Sequence, residues 1–100
     1  MAIDQGFLDD IIERLSPLGT ITSKAMFGGA GVFVDGRMFV KISPSGVIAF
    51  KADDRNKATF LNAGMKKSGK MPYYDATAEQ IEDNDAFMAA AKLARDAALR

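Results

Sequence analysis

From Met26 to Phe39 the chain reads Met-Phe-Gly-Gly-Ala-Gly-Val-Phe-Val-Asp-Gly-Arg-Met-Phe. Asp35-Gly36 separates two runs rich in β-branched and aromatic residues. That is among the stronger short-range signals for a β-hairpin, because both turn positions need positive φ and these two residues tolerate it. The spacing predicts a strand over 31–34 and another over 37–42. Gly28-Gly29 reads as a bulge or break after a strand over 20–27. Ser43-Pro44-Ser45-Gly46 reads as a second turn, leading into a strand over 47–50. A meander of this kind fixes an antiparallel sheet, and the flanking segments have to cover it.

Those flanking segments read as helices. Phe7, Leu8, Ile11, Ile12 and Leu15 recur at helical period, with Asp9, Asp10, Glu13 and Arg14 on the opposite face. Asp4 is the expected cap, Ile3 and Leu8 are spaced for a hydrophobic staple, and Ser16-Pro17-Leu18-Gly19 is the stop. Asp53 or Asp54 is placed to cap a short helix carrying Ala58, Phe60 and Leu61, closed by Gly64. Residues 65–70 read as a loop, and Met71-Pro72-Tyr73-Tyr74 as a last strand that starts at an edge because of Pro72. Thr77 and Gln80 fit a capping box. The final helix is expected to begin at Asp83 and to bury Phe87, Met88, Ala91, Leu93, Ala94, Ala98 and Leu99. The order α-β-β-β-β-α-β-α predicts a single α+β domain over residues 1–100, a two-layer antiparallel sheet with helices on one side. Phe27, Phe33, Phe39, Phe50 and Phe60 read as core. Yet Met26, Phe33, Phe39, Val40 and Phe50 cannot all face one layer, so an apolar second face would need a partner.

Composition narrows the chemistry. The 100 residues contain no cysteine and no histidine. Disulfides, thiol nucleophiles and zinc–thiolate sites go with the first, and the commonest general base and nitrogen ligand go with the second. No carboxylate pair stands out for acid–base work, so no catalytic residue, cofactor site or metal site is assigned and a non-enzymatic role is expected. Gly28-Gly29-Ala30-Gly31 is followed by a strand, whereas a phosphate-cradling glycine loop opens a helix. Gly64-Met65-Lys66-Lys67-Ser68-Gly69-Lys70-Met71 spaces its glycines and Lys70 like a nucleotide-binding loop, but it has methionine where the magnesium-holding hydroxyl belongs and Pro72 where a helix should start. Glu79, Glu82, Asp83 and Asp85 lack the loop and glycine of a calcium site. No apolar run is long enough for a membrane span. The N-terminus is acidic, unlike a secretory leader, which makes the cytoplasm the expected location.

Charge is balanced, with 13 basic and 13 acidic residues, but unevenly placed. Acids crowd the first 13 residues and residues 75–85. Arg37, Lys41, Lys51, Arg55, Lys57, Lys66, Lys67 and Lys70 fill the middle. Solvated faces and internal pairs explain such a pattern most simply. The sharper alternative is a contact surface for nucleic acid or a protein partner made of Lys51, Arg55, Lys57, Lys66, Lys67 and Lys70, with Tyr73 and Tyr74 as stacking rings. Gly28, Gly29, Asp35 and Gly36 are assigned structural turn roles. Met26, Met38, Met65, Met71 and Met88 read as gap-filling core, with adaptable contact surface as the alternative.

The segment Met26–Phe39 resembles the opening signature of the N-terminal domain of TfoX/Sxy proteins. Phe50-Lys51-Ala52-Asp53, a helix with Phe60, Met71-Pro72-Tyr73-Tyr74 and Ile81-Glu82-Asp83 before an alanine-rich helix follow in the matching order. Lys24-Ala25 and Asp75-Ala76 depart from the residues the family often carries there. The resemblance implies a secretion-chaperone-like α+β fold, which often dimerises. It also implies a role in transcription, since full-length members resemble competence regulators that act as coactivators with the cyclic-AMP receptor protein. Those members carry a second, C-terminal domain, and this chain is expected to act as a stand-alone N-terminal-like module. No catalytic residue carries over.

Overall fold

A computed structural model describes residues 4–26 and 28–100. In it, α1 (Gln5–Leu15) precedes a 3₁₀ turn (Ser16–Leu18), then the strands β1 (Ile21–Met26), β2 (Gly29–Val34), β3 (Arg37–Ile42) and β4 (Ile48–Lys51). There follow α2 (Lys57–Asn62), β5 (Lys66–Lys67), β6 (Tyr73–Asp75), α3 (Ala78–Glu82) and α4 (Asn84–Leu99). The six strands form one sheet in the order β1-β2-β3-β4-β6-β5, every neighbouring pair antiparallel.

Local chemistry sets the boundaries. The Asp4 carboxylate accepts from the Phe7 amide at 2.9 Å and caps α1; the staple with Ile3 lies outside the described residues. Asp35 and Gly36 have φ of 49° and 86°, the double positive φ of the expected two-residue turn. An oxygen of the Asp35 side chain accepts from the Thr20 amide at 3.0 Å, while its own amide donates to the Thr20 carbonyl at 2.9 Å, so the turn also anchors the start of β1. Met26 pairs with Gly29, so β1 and β2 form a hairpin with Gly28 in its connection. Gly28 (φ 78°) is its turn glycine, but Gly29 is the first residue of β2 rather than part of a break. The assignments made to Phe27 lie outside the described residues.

Two sequence expectations need correction. Residues 66–67 are not loop: they form β5, which pairs with β6 after a turn through Gly69 and Lys70. The cap of α2 is Asn56, and the Asp53 side chain instead accepts from the Arg55 and Asn56 amides in the turn before it, each at 3.0 Å. As expected, the Thr77–Gln80 capping box forms in full and opens a short α3, and Asp83 caps α4.

The core lies between the sheet and the helices. Cross-strand partners share a face, so Ala30, Val32 and Val34 of β2, Val40 and Ile42 of β3, Ile48 and Phe50 of β4, and Tyr74 of β6 point one way and are buried. Leu8, Ile11 and Leu15 of α1, Phe60 of α2 and Phe87, Ala90, Ala91, Ala94 and Ala98 of α4 pack against them. The β2–β3 register skips Phe39 between Val40 and Met38. The bulge brings Phe39 and Val40 both inward, where each is fully buried. Leu99, expected in the core, is 43% exposed, because the buried stripe of α4 runs through Ala94, Ala97 and Ala98 instead.

Asn56 closes this layer. It is 1% exposed. Its side-chain oxygen accepts from the Asp53 amide at 2.8 Å, and its amide group donates to the carbonyls of Lys51 and Leu93, each at 3.1 Å. One side chain thus ties the end of β4 to α4, with every polar atom satisfied as burial demands.

Candidate functional site

Among the described residues no helix packs across the other face of the sheet, although the end of α4 (Ala97, Ala98 and the following Arg100) borders it beside Met38, Lys51 and Tyr73. Registry places one unbroken row across all six strands: Lys24, Gly31, Lys41, Ala49, Asp75 and Lys66. Gly31 and Ala49 make the row shallow in its middle. Phe33, facing Met38 across the β2–β3 pair, and Tyr73, facing Lys51 across the β4–β6 pair, flank one side of the row, and Met26 flanks the other.

Gly31 explains how two methionines share this surface. A β-carbon there would stand 2.9 Å from Met26 Cε, 3.0 Å from Met38 Sδ and 3.1 Å from Met26 Sδ. The thioethers therefore lie over bare backbone. Met71, 43% exposed, joins Met26, Met38 and the Lys41 stem around an apolar hollow of about 200 Å³, closed at one end by Ser43 and Pro44. Methionine sulfur is polarizable and its chain unbranched, so such a surface adapts to the shape of what it meets.

Tyr73 lies flat on the face. It is 4% exposed, and its hydroxyl donates to the Met38 carbonyl at 3.4 Å, two strands away. The ammonium groups of Lys41 and Lys51 stand 5.8 and 5.6 Å from its ring centroid, within cation–π range. Burial pushes its phenol above the ordinary 10.0. Asp75 is the only acid of the row, and one of its carboxylate oxygens is buried without a hydrogen-bond partner.

The residues singled out in the sequence separate into two groups. Lys51, Lys66 and Tyr73 belong to this outer face. Lys57, Lys67 and Lys70 surround a different depression of about 210 Å³ beside Tyr74, and Asp53 and Asp54 share its rim. Arg55 is exposed in the turn before α2. The basic centre is thus not one continuous patch. Neither tyrosine offers an open ring for stacking: Tyr73 lies under lysines, and Tyr74, 5% exposed, packs its ring 6.2 Å from that of Phe60 on the core side. Sequence reading missed Lys24, Lys41, Met26, Phe33 and Met38 as one surface. The signal was the strand alternation, which register makes readable only once the hairpins are fixed. Phe33, expected in the core, is half-buried on this face, and the methionines divide between the face and the core, where Met65 is 2% exposed.

Among the described residues no cluster of three or more acids has metal-holding geometry, and no helix is long and apolar enough to cross a membrane. The arrangement defines a two-layer α+β domain with one helix-covered face and one open, lysine- and methionine-bearing face. The family model of the TfoX N-terminal domain matches residues 13–98, and the chain belongs to that family. No curated protein matches it.

Proposed function

We propose that this domain is a non-enzymatic protein-interaction module and that the outer face of its sheet is the recognition surface. The observation that carries this reading is the apolar hollow formed by Met26, Met38 and Met71, with half-buried Phe33 facing Met38 across the β2–β3 pair, on a face across which no helix packs among the described residues. Apolar surface of this kind, rimmed by charge, marks contact sites. A chain without histidine or cysteine supports recognition over catalysis. Membership in the TfoX N-terminal family is what supports the proposal of a partner in transcriptional control, of the kind competence regulators exert, and with it a cytoplasmic location. The test uses the immobilised protein and a native lysate, with Phe33→Asp as the comparison. Capture of one protein in stoichiometric amount by the wild type, lost in a variant that melts at the same temperature, is the expected result. Equal capture by both proteins counts against the outer face.

A second reading, direct nucleic-acid binding, is favoured by the convergence of Lys57, Lys67 and Lys70 on one depression. It predicts duplex affinity falling with salt at a slope of roughly −0.9 per phosphate neutralised. Retained affinity in a Lys57/Lys67/Lys70→Glu variant excludes that surface.

A further inference from the structure

We infer that the occupant of the outer face is an acidic amphipathic helix of a protein partner, with its apolar stripe in the methionine hollow and its carboxylates over the flanking lysines. The inference rests on the reading of this face as a protein-recognition surface.

Charge complementarity selects the occupant. Lys24, Lys41 and Lys66 stand in the central row and Lys51 beside it, against the single carboxylate of Asp75. A second copy seated face to face would oppose these lysines with their own counterparts, and like-charge juxtaposition works against such a complex. A nucleic acid would meet the same positive charge. However, it would find the Tyr73 ring closed, an apolar hollow in place of hydrogen-bonding groups, and the carboxylate of Asp75 in the row. A helix with Leu or Phe at i, i+3, i+4 and i+7 presents the narrow apolar stripe that a hollow of this size accepts. Glutamates on both sides of that stripe reach the ammonium groups of the rim. Methionine lining accommodates differing side chains, so the acidic flanks, not the apolar stripe, set the specificity.

The test is an NMR titration of the ¹⁵N-labelled full chain with three probes at low salt. One is a 15-residue amphipathic peptide with leucine at i, i+3, i+4 and i+7 and glutamate on the flanks. The second carries lysine in place of glutamate, and the third is a 20-base-pair DNA duplex. The acidic peptide is expected to shift the amides of Gly31, Lys41 and Ala49, at least tenfold more tightly than the basic one. In a Lys24→Glu/Lys41→Glu/Lys66→Glu variant the preference reverses. Gly31→Ala, which pushes both thioethers into the hollow while leaving all charges in place, is expected to weaken the acidic peptide several-fold. Equal affinity for both peptides, or preference for the basic one, at these same amides overturns the acidic occupant and leaves the recognition surface standing. No response of these amides to either peptide overturns both. A response to duplex DNA alone overturns both in favour of nucleic acid.

Discussion

Two neighbouring glycines in β2 separate what the backbone requires from what the surface requires. At Gly29 a β-carbon would fall onto the Ile42 carbonyl oxygen and lie 3.0 Å from the Ser43 carbonyl carbon. Backbone cannot retreat cheaply, so Gly29→Ala is expected to destabilise by about 3 kcal/mol. At Gly31 only the ends of two flexible methionines stand in the way, so Gly31→Ala is expected to stay within about 1 kcal/mol of wild type. Urea denaturation of the two variants checks the contrast. Asn56→Ala strands the Lys51 and Leu93 carbonyls and the Asp53 amide, with a predicted loss on the order of 3 kcal/mol by the same measurement. Asp53 itself has an acid-side signature. Its partial burial favours the neutral form, but hydrogen bonds from the Arg100 guanidinium and from the Asn56 and Arg55 amides outweigh that and hold its pKa below 3.8. A lowered folded pKa gives stability that is present above the unfolded value and lost as pH falls through the folded one. The melting temperature of wild type should therefore fall more steeply below pH 3.8 than that of Asp53→Asn, whose side chain does not titrate.

At the scale of elements, Arg14 links three helices that the sequence shows only as separate amphipathic segments. Its guanidinium lies 3.8 Å from the Phe87 ring centroid and donates to the Ile81 carbonyl at 3.2 Å and to the Asn84 side chain at 3.3 Å. It thereby joins the last turn of α1 to α3 and the start of α4. Arg14→Ala is expected to cost about 2 kcal/mol and Arg14→Lys nearly as much, because an ammonium cannot stack on the ring and donate in two directions together. Thermal melts of both variants provide the check. Helical period placed Arg14 on the polar side of α1, which was correct for the isolated helix and silent about α3. The same limit explains the rest of the reading. Asp35-Gly36, Thr77–Gln80 and the stripe of α1 were legible because each encodes its structure within a few residues. The two-residue β5 was not, since Lys66 and Lys67 have no strand pattern of their own and owe their conformation to pairing with Tyr74 and Asp75. Phe39 was correctly read as core, but the bulge that lets it turn inward beside Val40 was hidden, because it depends on the β2–β3 register. The candidate surface was half legible: Lys51 and Lys66 were identified, whereas Phe33 was assigned to the core and Met26, Met38 and Met71 were given contact surface only as the alternative to core.

For the whole molecule, zero net charge conceals a division between layers. Acids concentrate on α1, α3 and the first turn of α4, in the helical layer, while the open sheet face carries four lysines and one aspartate in and beside its central row. That division bears on self-association. The apolar groups of the face, Met26, Met38, Met71 and Phe33, would favour pairing with a second copy, and the lysines oppose it. Exposed charges act over a Debye length of about 8–10 Å at moderate salt, comparable to the separation of two stacked sheets, roughly 10 Å. The repulsion is therefore felt before the apolar groups touch. Wild type and Phe33→Asp are expected to sediment with the same average mass at 0.1 M salt, the outcome if this repulsion keeps the face from joining copies. Replacing Lys24, Lys41 and Lys66 with serine removes the opposing term while leaving the hollow intact. The resulting variant is expected to show an average mass that rises with protein concentration, and the addition of Phe33→Asp should abolish the rise. A triple variant that remains as dispersed as wild type would mean that the apolar surface is too small to drive association. Specificity on this face would then reside in the lysines alone.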